Sequence, residues 1–134
     1  MPFASTPNLV AGGDIRPYRL VKCSTAADNT GLEADANERC IGVSGGDTKQ
    51  FDSANHAESG DGVMLQPGAV VLVEAGGSIT RGAQVKSDGD GKCVTLATSG
   101  TTVQEAAGIC LESAASGTIV RILWQPSQIR PALS

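Results

Sequence analysis

The chain cannot run far in any one direction before a glycine interrupts it. Seventeen glycines are spread through 134 residues, and between them lie short runs rich in Val, Ile and Thr. Glycine weakens helix interiors and supplies the positive φ angles of tight turns, whereas β-branched residues suit a pleated surface. Short apolar runs punctuated by Gly, Asp and Pro therefore predict an all-β fold, a small barrel or sandwich. The length is that of one ordinary domain. Aromatic residues make up only 3% of the chain, so Val, Ile, Leu and Ala must fill the core that Phe, Tyr and Trp fill elsewhere.

About eight short strands are expected. They are Tyr18 to Cys23, Cys40 to Val43, Val63 to Gln66, Val70 to Glu74, Ala83 to Lys86, Lys92 to Leu96, Gly108 to Glu112 and Thr118 to Trp124. Ser87-Asp88-Gly89-Asp90-Gly91 reads as a hairpin connection. Helix is expected only as a turn or two, at Leu32 to Arg39 and at Val103 to Ala107. Residues 1–11 hold Pro2 and Pro7 and read as an extended N-terminal arm. Residues 12–124 form the single β domain, and residues 125–134, with two more prolines, form an extended C-terminal tail. Apolar side chains on or beside the arms and loops, namely Phe3, Leu9, Val10, Phe51, Trp124 and Ile129, are the candidate protein-interface residues.

The β domain carries a degenerate internal repeat. Gly13-Asp14-Ile15 through Val21-Lys22 matches Gly77-Ser78-Ile79 through Val85-Lys86. Ile41-Gly42-Val43 matches Ala107-Gly108-Ile109. Ser59-Gly60 before Val63-Met64-Leu65-Gln66 matches Ser116-Gly117 before Val120-Arg121-Ile122-Leu123. The order is the same in both halves, which implies two related β units packed together; a solenoid would need three or more.

Chemistry is hard to build from what remains. The formal net charge is −4, and an acidic surface repels phosphate backbones, so no nucleic-acid partner is expected. The longest apolar run, Ala69 to Val73, is too short to span a bilayer. No basic and apolar leader opens the chain, so synthesis in a cytoplasm is expected. Cys23, Cys40, Cys93 and Cys110 are too scattered for a zinc site or a redox pair. In a cytoplasm they are expected as reduced, at least partly buried thiols, although an even count also permits three disulfide pairings. His56 is the lone histidine and lies in the polar stretch Ser44 to Glu58, where a solvated surface position is expected. Asp88-Gly89-Asp90-Gly91 lacks the ligands of a calcium loop, and Gly45-Gly46 and Gly60-Asp61-Gly62 lack dinucleotide-binding spacing. No catalytic, metal or cofactor residue is assigned, and no enzyme is expected.

The repeat unit has a likeness. Ile79-Thr80-Arg81-Gly82-Ala83-Gln84-Val85, the hairpin Asp88-Gly89-Asp90-Gly91-Lys92, then Ala107-Gly108-Ile109 and Ala114-Ala115-Ser116-Gly117-Thr118-Ile119-Val120-Arg121-Ile122 resemble the tailed-phage capsid decoration or cement proteins of the DUF2190-like family. The first half repeats the pattern more loosely, with Pro17 where the second has Gly82, and the resemblance covers roughly Gly12 to Trp124. It implies a non-catalytic virion protein made in a bacterial host. Such a protein sits on the capsid exterior, bound to the major capsid protein and to copies of itself as a trimer or dimer, and stabilises capsomer junctions. Another β-rich virion part, such as a tail or baseplate module, is the alternative. A small carbohydrate-binding module is a more distant one.

Overall fold

The computed structural model describes residues 9–48, 53–97 and 102–129, and every element in them is a strand or a turn. The fold is all-β. Ten strands follow one another: β1 (Leu9–Ala11), β2 (Leu20–Cys23), β3 (Thr30–Glu33), β4 (Gly42–Val43), β5 (Gly62–Val63), β6 (Val70–Glu74), β7 (Gln84–Ser87), β8 (Cys93–Thr95), β9 (Gln104–Cys110) and β10 (Ile119–Ile129). They make two five-stranded sheets, ordered β4-β2-β3-β1-β5 and β6-β10-β9-β7-β8. In each, an isolated bridge links the two end strands: Ser44 to Leu65 in the first, Ala75 to Cys93 in the second. Each half of the chain thus forms its own closed circuit, which leaves few free edges.

The two circuits are wired alike. In the first, Leu20 faces Val43 and Val21 faces Gly42; in the second, Gln84 faces Ile109 and Val85 faces Gly108. Val10 faces Gly62 as Glu74 faces Ile119. The isolated bridge from Ile15 to Ala57 has its counterpart from Ile79 to Ala114. Positive φ recurs at matching places: Tyr18 (59°) and Gly82 (85°), Asn29 (52°) and Gly91 (73°), Gly60 (92°) and Gly117 (87°). These residues of the two halves therefore occupy equivalent places in their hydrogen-bond networks.

Adjacent residues of β2 show how the halves share a core. Successive side chains on a strand point to opposite faces. Val21 points into a small cluster inside the first circuit, with Ala11, Ile15 and Ala57, and with Leu9, Val63 and Leu65 at its margin. Leu20 points the other way and joins Ala34, Cys40 and Val43 in the larger cluster, whose remainder is the second circuit's lining: Val71, Val73, Ala75, Ile79, Val85, Cys93, Ala107, Cys110, Val120 and Ile122. Gly108 lets two strands meet, since a Cβ there would overlap the Leu123 carbonyl oxygen.

Several expectations need correction. Leu9–Ala11 is a strand hydrogen-bonded on both sides, parallel to β3 and antiparallel to β5, so the arm cannot extend to residue 11. The tail does not begin at residue 125 either. β10 continues to Ile129, with Ser127, Gln128 and Ile129 facing Ala106, Glu105 and Gln104. Pro126 falls in the register shift between Trp124 and Ser127, a bulge where a missing N–H costs no ladder bond. The two expected helical turns are instead β3 with the turn after it, and β9. The sequence Gln-Glu-Ala-Ala favours helix, but pairing with β7 and β10 on both sides overrides that weak preference.

Candidate functional site

Of the six candidate interface residues, Phe3 and Phe51 lie outside the described residues. Leu9 packs at the margin of the smaller core, and Trp124 is half-buried against the larger one. Both support the interior more than they present a surface. Val10 is exposed and Ile129 partly so. The structure does not gather these residues into one site.

A different surface is continuous. On β6 and β10 the lining residues Val71, Val73, Val120 and Ile122 are buried, which turns Val70, Leu72, Ile119, Arg121 and Leu123 outward. Register sets them side by side: Leu123 lies between Val70 and Ile109, Arg121 beside Leu72, and Ile119 beside Glu74. Leu111, whose N–H donates to the Arg121 carbonyl at 3.0 Å, extends the patch on the β9 side. Val70 is 49% exposed, Leu111 47% and Ile119 37%. Arg121 sits among them, its guanidinium 3.3 Å from Glu112. An exposed pair of this kind adds little stability, but it marks the patch with a polar centre. Apolar faces rimmed by charge are typical of interaction surfaces.

The missed signal was available. Val70-Val71-Leu72-Val73 and Ile119-Val120 with Ile122-Leu123 are apolar at successive positions, and a strand apolar on both faces is one that expects cover on both. Counting apolar runs finds the strands; asking what covers each face finds the patch.

His56 is not a solvated surface residue. It is 7% exposed. Its Nε2 accepts the Met64 N–H at 3.0 Å and its Nδ1 lies 3.0 Å from the Asp47 carbonyl, so the neutral ring carries its proton on Nδ1. It ties the segment after β4 to the residue that follows β5. Cys23 is also misplaced by the sequence reading, being exposed, while Cys40, Cys93 and Cys110 are buried. Burial pushes the Cys40 and Cys93 thiols up to about 12, far from the thiolate that nucleophilic chemistry needs. Among the described residues no three His, Cys, Asp or Glu side chains gather as a metal site would require.

No family profile matches the chain, and no curated protein sequence does. The fold has a solved counterpart, the head fiber gp8.5 N base of bacteriophage phi29, at 23% sequence identity and a TM-score of 0.68. The match covers 92% of this chain and 95% of that one, so the likeness takes in both circuits and the joint between them. The chain has the fold of that phage head fiber base.

Proposed function

We propose that this protein is a structural, non-enzymatic component of a tailed-phage virion, a decoration or cement protein held on the outside of the head. One observation carries the reading: a fold shared almost end to end with a protein described as the base of a phage head fiber. The resemblance of the second repeat to capsid cement proteins points the same way from the sequence side. The exposed apolar face around Arg121 supports it physically, since a lone subunit gains nothing from Val70, Leu111 and Ile119 in water. On a shell, the major capsid protein and neighbouring copies would cover such surfaces, and contacts too weak singly would hold together once one has formed. The carbohydrate-binding alternative loses ground, because Trp124 packs against the core and the Tyr18 ring lies against Gly46. Neither stands as an open platform for a sugar.

The test is sedimentation with empty heads of the phage that encodes the chain. The protein is expected to pellet with the heads to a saturable ratio, and Ile119→Asp with Leu111→Asp to weaken that binding while leaving the melting temperature near the parent's. Protein that stays in the supernatant at all ratios overturns the proposal.

A further inference from the structure

The joint between the halves is one-sided, and this has a consequence for assembly. The β7–β8 hairpin of the second half is seated on the first half. Leu20 donates its N–H to the Gly91 carbonyl at 2.7 Å, and Asn37 to that of Ser87 at 2.9 Å. The Ser87 hydroxyl donates to the Asp35 carbonyl at 2.6 Å. Arg19 reaches the Asp90 carbonyl at 3.1 Å and the Glu74 carboxylate at 3.1 Å.

In the duplicated circuits, residues 23–29 of the first half stand where 87–91 stand in the second. Likewise Thr80 to Gln84, Leu96 and Ile109 stand where the seat residues 16–20, 34 and 43 do. Had the halves met through a local two-fold axis, residues 23–29 would sit on the Thr80–Gln84 seat within the same chain. They do not: Thr25 to Asn29, Thr80 to Gly82 and Gln84 are all exposed. Around the free hairpin the bonds are local, such as Ala26 N–H to the Ser24 hydroxyl and Thr30 hydroxyl to the Asp28 carbonyl. One chain thus carries a filled hairpin-and-seat joint in its middle, a spare hairpin at one end and a spare seat at the other.

We infer that a second copy of this chain docks head to tail, its residue 23–29 hairpin on the Thr80–Gln84, Leu96 and Ile109 seat of its neighbour, repeating between molecules the joint that holds the halves together. The occupant follows from the duplication, not from the phage reading. A contact between unlike surfaces propagates, closing into a ring or continuing as a row. Two departures make it weaker than the internal joint. Ala83 replaces Arg19 and Val10 replaces Glu74, so an apolar pair stands in for the ion pair. In addition, the Val10 N–H is already used on the Asn29 carbonyl, whereas the Glu74 N–H crosses the joint to Tyr18 at 3.0 Å. The exposed Val10 side chain acquires a role here. Of the apolar face the seat takes only Ile109, and it leaves Val70, Leu111 and Ile119 for the shell.

Capping each end separately tests this. Ala27→Arg blocks the hairpin and Gln84→Arg blocks the seat; both sites are exposed, so the fold is undisturbed. By sedimentation velocity at high concentration the parent is expected to form species larger than a monomer, and each variant alone to remain monomeric. An equimolar mixture is expected to recover dimers and stop there, because only one native joint is left to form. A parent that stays monomeric at its highest soluble concentration overturns the inference. So does a mixture that recovers no dimer. Head binding is read separately, so either result leaves the sedimentation test with heads intact.

Discussion

His56 shows how much a single side chain can hold when both ring nitrogens are committed. Replacing it with alanine removes the acceptor for the Met64 N–H and the partner of the Asp47 carbonyl. Both bonds are part-buried and water can reach the freed backbone groups, so His56→Ala is expected to lose about 1 kcal/mol in urea unfolding. A loss under about 0.5 kcal/mol would mean the segment holds without the ring. The sequence reading missed this because nothing local announces it: Asn55 and Glu58 are polar, and the groups that bury the ring come from elsewhere in the chain. The thiols divide in the same way. Ending an apolar strand makes Cys23 look like a core residue, and alternation does put it on Val21's face, but it stands at the strand's end beside the exposed turn at residues 25–29, past the cover that buries Val21. With intact protein, one thiol per chain is expected to react quickly with a disulfide reagent, and Cys23→Ser to abolish that phase. Rapid reaction at two or more sites would contradict the buried positions of Cys40, Cys93 and Cys110.

At the scale of elements, Val70–Glu74 was legible to the residue, and so was the Ser87–Gly91 hairpin. The Asp88 carboxylate accepts the Asp90 and Lys92 N–H groups at 2.8 and 3.0 Å, and Gly91 takes φ 73°. Asp and Gly write such a turn plainly. The ends of the chain were not legible, because prolines near a strand look like the absence of one. Leu9–Ala11 is three residues long, yet it lies between β3 and β5, and its membership depends wholly on partners distant in sequence. Removing Met1 to Val10 takes out most of that strand and strips β5 of its neighbour. The truncated chain is expected to melt on the order of 10 °C lower, as followed by circular dichroism. An unchanged melting temperature would show that β1 adds nothing to the first circuit.

For the whole molecule, glycine spacing points to two similar halves, whereas nothing in it points to the joint between them. Its central group, Glu74, differs from its counterpart Val10, so a search for repeats passes over it. Arg19 is buried with its Nε unpartnered among the described residues, and its charge is tolerable only because Glu74 Oε1 lies 3.1 Å away, with Lys92 3.2 Å from Oε2. Burial by itself would raise the Glu74 carboxyl. The hydrogen bond from Lys92 and the charge and hydrogen bond of Arg19 outweigh it, and hold the group below the usual carboxylate range. A carboxylate whose folded pKa is depressed stabilises the fold fully above its unfolded pKa, and that contribution is lost as pH falls through the folded value. Glu74→Gln leaves the buried guanidinium without a counter-charge, which is expected to cost about 3 kcal/mol at pH 7. In parallel urea titrations the gap between parent and variant should narrow only as the pH falls below the ordinary carboxylate range, because the parent's own carboxylate resists protonation until then. A gap that keeps its size throughout the acid range, as the carboxylates take up protons, would assign the joint's strength to packing around Leu20 and Val43, and not to the charge at its centre.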